Sequence, residues 1–157
     1  MLQSDQRSRF FGRKEEIVQL TRSADYALRA VIDIAIHQDR GYVPTHEVAR
    51  RQGIPPALLA KLIPALVRAG LLISQRGARG GLKLARPAAG ISMREIVEAI
   101  EGPIALNRCT VTPTQCDLTD RCALHSVWEK AQTYLVHLLE TTSLAELARQ
   151  QEALNQE

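Results

Sequence analysis

From Thr21 onward the apolar residues recur with helical spacing. Ala27, Ala30, Val31 and Ile34 fall at i, i+3, i+4 and i+7, and Leu28 and Ala35 widen the stripe. This predicts a first helix ending near His37–Arg40, before Gly41. Thr45 reads as the N-cap of a short second helix, His46–Gln52, and Gly53 suits the left-handed position that follows a helix. Pro55 or Pro56 can open a third helix, because proline is tolerated in a first turn. Leu59, Leu62, Ile63 and Leu66 form the buried stripe of that helix, and Gly70 ends it. Pro64 lies inside it, where a missing amide donor and a clash one turn back predict a kink.

The period then changes. Leu71–Arg76 and Leu82–Arg86 flank Gly77-Ala78-Arg79-Gly80-Gly81, and Leu82, Lys83 and Leu84 alternate as a half-buried strand does, so a hairpin is expected, closed by Pro87. Ser92-x-x-Glu95 is a capping box and Ile91 can staple onto Ile96, which predicts a helix over Met93–Glu101. A loop containing Cys109, Cys116 and Cys122 follows, with Pro103 and Pro113 in or beside it. A long helix then runs from about Cys122 to Glu140, with Leu124, Val127, Trp128, Ala131, Leu135 and Leu138 at helical spacing and Tyr134 and Leu139 beside them. Ser143-x-x-Glu146 is a second capping box, opening a last helix that ends near Leu154. Residues 1–18 lack periodicity and read as a flexible extension, in which Phe10 and Phe11 are the side chains able to dock.

Charge divides this pattern in two. Residues 1–90 carry 15 Lys/Arg against 7 Asp/Glu, a net of +8, while residues 91–157 carry 5 against 10, a net of −5. A positive half is where a polyanion binds, and the scarcity of aromatic residues argues against stacking on single strands. No apolar run approaches the length of a membrane span, and the polar start lacks the apolar core of a signal peptide, so a cytoplasmic protein is expected, with reduced thiols. Three cysteines cannot all pair within one chain, which favours ligation over structural disulfides.

The expected fold is mainly α: a winged helix-turn-helix with a two-stranded wing over residues 19–90, and over 91–157 a helix, the cysteine loop and a long C-terminal dimerisation helix. In a helix-turn-helix the front of the recognition helix enters the major groove. That makes Pro56, Ala57, Leu58 and Lys61 the base-facing candidates, Lys61 alone among them able to donate hydrogen bonds, with Thr45 at the front of the preceding helix. Arg76, Arg79 and Lys83 sit on the wing, whose glycines allow close approach to the backbone or a minor groove. Arg22 and Ser23 at the start of the first helix can hold a phosphate.

Cys109-x6-Cys116-x5-Cys122-x2-His125 offers four soft ligands. The gaps are longer than the two to four residues typical of a zinc finger, so the loop must wrap around something, and iron–sulfur clusters take thiolates with occasional imidazole. A mononuclear zinc site and three free thiols remain the competing readings of the same residues. His125 stands one turn after Cys122, so both can face one centre. Val127, Trp128, Ala131, Tyr134, Leu135 and Leu138 form an apolar face too wide for a small winged helix to bury alone, which points to a homodimer reading two related half-sites of double-stranded DNA.

Leu20-Thr21-Arg22-Ser23-Ala24-Asp25-Tyr26-Ala27-Leu28-Arg29-Ala30 resembles the opening of the IscR/NsrR family of bacterial winged-helix regulators. So do Leu66-Val67-Arg68-Ala69-Gly70-Leu71 and Arg76-Gly77-Ala78-Arg79-Gly80-Gly81, and the three cysteines with Trp128 complete the likeness over about residues 19–152. The resemblance implies homodimeric transcription factors that control iron–sulfur, iron, nitric oxide or redox genes from pseudo-palindromic operators. Cys122-x2-His125 resembles the IscR branch, where three cysteines and that histidine hold a 2Fe–2S cluster. Asp25 matches the helix-one aspartate that ligates a 4Fe–4S cluster from the partner subunit in the NsrR branch, although it is also an ordinary first-turn acid favoured by the helix dipole. His125 is the favoured fourth ligand, Asp25 the alternative. The first cysteine gap is six residues where five is commoner in the family.

No Ser/His/Asp constellation or phosphate loop supports an enzyme. Besides the cluster-controlled regulator, the sequence allows the same DNA-binding fold with a thiol-redox or zinc switch, and a protein-interaction module whose basic face is incidental.

Overall fold

Helix α1 (Arg22–His37) is the axis of the molecule in a computed structural model that describes residues 20–157; the expected extension over residues 1–18 lies outside them. Its stripe of Ala24, Ala27, Ala30, Val31 and Ile34 is buried, and α2 (Thr45–Gln52), α3 (Pro56–Arg68), α4 (Met93–Glu101) and α7 (Leu144–Leu154) all pack against it. Thr21 caps α1 by accepting from the Ala24 amide, and a single 3₁₀ turn, Gln38–Arg40, ends it where the sequence pattern does.

The second and third helices are terminated by the same device. Gly53 and Gly70 adopt left-handed backbone (φ 59° and 70°), and the amides of Ile54 and Leu71 bond back to the carbonyls of Ala49 and Leu66 at 2.9 and 3.0 Å. Ile54 and Leu71 are thereby turned into the core. Thr45 is not the cap of α2: it is the first helical residue, and Pro44, in extended conformation, precedes it and takes the amides of Glu47 and Val48 on its carbonyl. In α3, Leu59, Leu62 and Leu66 are buried and Ile63 is half-buried. The helix continues through Pro64. Pro64 and Ala60, whose carbonyl loses its donor, are both exposed, so water can serve that carbonyl.

The hairpin is shorter than the hydrophobic pattern suggests. Strands β1 (Leu72–Gln75) and β2 (Gly81–Leu84) pair antiparallel with Leu72 opposite Leu84 and Gln75 opposite Gly81. Val43 adds a two-bond bridge to Leu82 (2.8 Å each way), and Gln38 accepts from the Leu84 amide at 3.1 Å, so the wing is tied to both ends of the α1–α2 connection. Gly81 (φ 149°) is required by that bridge, because a Cβ there would lie 2.2 Å from the Val43 carbonyl oxygen. Gly80 is required in the same way by the Gln75 carbonyl. Gly80 and Gly81 therefore serve the closure of the wing on its own chain.

Helix α4 starts at the expected capping box. Ser92 Oγ accepts from the Glu95 amide, the Glu95 carboxylate accepts from the Ser92 amide at 2.9 Å, and Ile91 and Ile96 are both buried. Partial burial would raise the Glu95 carboxyl, but the Ser92 amide and the Arg86 guanidinium outweigh it and hold the group below its ordinary value. Between α4 and the long helix α6 (Ala123–Thr141) the chain forms a short helix, α5 (Arg108–Val111), and 3₁₀ turns at Pro113–Gln115 and Thr119–Arg121. The second capping box is half-formed: Ser143 Oγ accepts from the Glu146 amide, while the Glu146 carboxylate accepts from Gln150. Bonds from Met93 to Thr142 and from Leu144 to Ile91 clamp the starts of α4 and α7 together. No helix among the described residues is long and apolar enough to cross a membrane.

Candidate nucleic-acid interface and cysteine pocket

The fold presents the front of α3 to solvent. Pro56, Ala57 and Lys61 are exposed, whereas Leu58 is half-buried against the core and offers less surface than the sequence suggests. Arg22 is exposed on the first turn of α1, Ser23 and Thr45 are half-buried, Arg76 and Arg79 are exposed on the wing, and Lys83 is half-buried on β2. Arg50, which the sequence pattern does not single out, is exposed at the end of α2.

An ionic network built on a buried acid joins α1 to α2. Asp33 is buried on α1 and accepts from Arg51 Nε at 2.9 Å, Arg51 Nη2 at 2.7 Å and Gln52 Nε2 at 3.1 Å. Arg51 also bonds Glu47 at 2.9 Å, and Arg29 donates to the Gln52 carbonyl. The bidentate carboxylate fork raises the Arg51 guanidinium above its ordinary value despite partial burial. The signal in the sequence is an acid set between Ile32 and Ile34, with a basic pair at Arg50-Arg51.

The three cysteines are brought together. Cys109 on α5, Cys116 after the first 3₁₀ turn, Cys122 immediately before α6 and His125 on its first turn line one pocket of about 390 Å³, with Asn107, Arg108, Thr119, Leu124 and Trp128. All three thiols are free and half-buried. Nδ1 of His125 is buried without a hydrogen-bond partner. A buried imidazole nitrogen left unpaired next to three thiols is a donor set in want of an acceptor, and it fits a thiolate- and imidazole-bound centre. Among the described residues, no three His, Cys, Asp or Glu side chains converge closely enough to hold one metal ion. Trp128 forms part of the pocket wall, a place that helical spacing alone did not give it. Asp25 is not in this wall: its side chain is 59% exposed and lies 3.7 Å from Arg29.

Helix α6 divides its apolar residues between two faces. Leu139 is buried and Leu135 half-buried on the side toward α4, where both line an apolar groove with Val97, Ile104 and Leu106. Leu124 (63%), Val127 (61%), Tyr134 (71%) and Leu138 (49%) are exposed on the other side, with Ala131 half-buried between them. Leu135 therefore packs within its own chain, and the free stripe is narrower than the one spacing predicts.

Residues 20–150 match the family of iron-dependent transcriptional regulators designated Rrf2. The chain belongs to the Rrf2 family. It is similar to the HTH-type transcriptional regulator IscR of Xenorhabdus nematophila, with 34% identity over 138 residues, 88% of this chain and 84% of the relative. Among solved structures, T. potens IscR matches with a TM-score of 0.68 at 30% identity, covering 87% of this chain and 90% of that one. CymR, the global cysteine regulator of B. subtilis, matches with a TM-score of 0.71 at 24% identity, over 85% and 98%, which shows the common fold. The molecule is a winged helix-turn-helix of the Rrf2 type and an IscR-like transcriptional regulator that binds DNA. The relatives are regulators and not enzymes, and so is this chain.

Proposed function

We propose that this Rrf2-family regulator binds its operator as a homodimer and that its DNA affinity is controlled by an iron–sulfur cluster held by Cys109, Cys116, Cys122 and His125. The observation that carries the reading is the pocket: three free thiols and an unpaired, buried imidazole nitrogen on one wall. The gaps of six and five residues between the cysteines exceed those typical of a zinc finger, which favours a cluster over a single zinc ion. A 2Fe–2S cluster is favoured over 4Fe–4S because Cys122-x2-His125 resembles the IscR branch, and the family's iron-dependent designation supports an iron centre. When bound, such a cluster supplies redox chemistry.

The protein's own residues supply the rest. The exposed stripe Leu124, Val127, Tyr134 and Leu138 is the dimer surface, since a row of large apolar side chains on one helix face marks an association site. Two copies then present two α3 helices to a pseudo-palindromic site. Asp25 becomes a ligand only from the partner subunit, because within its own chain it stands outside the pocket.

Each half of the reading has its own test. Anaerobic reconstitution should convert a colourless protein into one with visible absorption and changed operator affinity; a protein whose operator affinity is the same with and without iron and sulfide refutes cluster control. For the DNA face, Arg79→Ala should weaken binding uniformly across sequences and lower the slope of log affinity against log salt by about 1. Titration of labelled duplex at two salt concentrations measures this, and an unchanged slope removes the wing tip from the contact surface.

A further inference from the structure

Between α4 and Cys109 runs an irregular strap, residues 102–107, whose backbone groups are met by one side chain of α6. Gln132 Oε1 accepts from the Leu106 amide at 2.8 Å and from the Thr110 hydroxyl at 3.4 Å, and Gln132 Nε2 donates to the Ile104 carbonyl at 2.5 Å. Thr110 is the neighbour of Cys109, and its single hydroxyl proton is shared between the Asn107 carbonyl at 2.7 Å, which closes the first turn of α5, and the weaker, longer contact to Gln132. From the other side the strap is held by Glu98, which accepts from the Ile104 amide at 3.4 Å.

Gln132 stands seven residues after His125, two helical turns along the same face of α6 and about 10 Å up the axis. Cys122 and His125 are thus fixed to the start of this helix, while Cys109 belongs to a four-residue helix with no buried side chain of its own. The strap that leads into Cys109 is hydrogen-bonded to α6 through Gln132, at the Ile104 carbonyl and the Leu106 amide. We infer that Gln132 is a positioning residue for the cysteine pocket, setting Cys109 against Cys122 and His125 through the backbone of residues 104–110. The inference rests on the cluster reading of that pocket and extends it to a residue that touches no ligand. An amide is suited to the task because it donates and accepts at once; a carboxylate keeps the acceptor bonds and loses the donor.

The test uses the full chain with Gln132→Leu, which keeps the volume and removes all three bonds, and Gln132→Glu, which removes one. On metal-free, reduced protein, the alkylation rates of the three cysteines by iodoacetamide are read by mass spectrometry. Gln132→Leu should raise the rate of Cys109 relative to Cys122 severalfold, and Gln132→Glu should raise it less. A variant that merely loosened the fold would speed all three alike, and that outcome, or an unchanged Cys109 to Cys122 ratio, overturns the inference. On protein reconstituted with iron and sulfide, Gln132→Leu should lose its visible absorption to EDTA roughly 10-fold faster than wild type, the scale of a lost supporting contact. A wild-type protein that takes up no iron and sulfide sinks the cluster reading instead, and the alkylation ratio still decides the role of Gln132.

Discussion

Cys116→Ala should purify anaerobically without iron or sulfide, and its operator affinity should equal that of metal-free wild type. Cys116 follows a 3₁₀ turn in the outermost part of the loop, where its carbonyl accepts from the amide and hydroxyl of Thr119 at 3.2 and 3.0 Å. None of these bonds involves the thiol. The residue is remote from the buried core, so its loss as a side chain should change the stability of the metal-free protein by no more than about 0.5 kcal/mol. Its loss as a ligand is another matter, because three thiolates and one imidazole leave no spare donor in the pocket. Visible absorption and iron counts on the variant read the ligand role, and urea denaturation of the metal-free form shows that the fold is intact. A Cys116→Ala protein with the full wild-type iron content would remove Cys116 from the ligand set.

Asp33→Ala should lower stability by about 3 kcal/mol, and with it the thermal midpoint by roughly 6–12 °C. The acid is buried, and its removal takes the bidentate partner from Arg51, whose side chain is three-quarters buried. The loss is at the low end for a broken buried pair because Arg51 keeps Glu47 at 2.9 Å and a quarter of its side chain reaches water. The same substitution frees Gln52 and loosens α2 from α1, so DNA binding should weaken even where the protein remains folded. Urea titration followed by circular dichroism checks the first effect. A loss below 1 kcal/mol would mean that the network contributes orientation and little stability.

How much of this was readable in advance follows from the range of the interactions involved. The capping box at Ser92, the left-handed Gly53 after α2, the end of α3 at Gly70, and the alternation of Leu82, Lys83 and Leu84 are local, and each appears where the sequence placed it. Thr45 misled because proline and threonine compete for the same role: Pro44, held extended, supplies the entry to α2, and the hydroxyl of Thr45 is not needed. The faces of α6 could not be separated by periodicity, since Leu135 and Leu138 both fit one stripe until the strap and α4 cover one side. Asp33 with Arg51, and Gln132 with the strap, join residues far apart in the chain through polar side chains, which hydrophobic pattern does not register. For the candidate site, the three cysteines and His125 stood out by residue type and spacing, and the fold adds that all four line one pocket.

The most direct measurement is the content of iron and acid-labile sulfide per chain in protein purified without oxygen. Cluster ligation by Cys109, Cys116, Cys122 and His125 predicts a coloured protein with iron and sulfide in equal amounts, two of each for the favoured 2Fe–2S form. A colourless protein carrying zinc, or no metal, with no sulfide would contradict it.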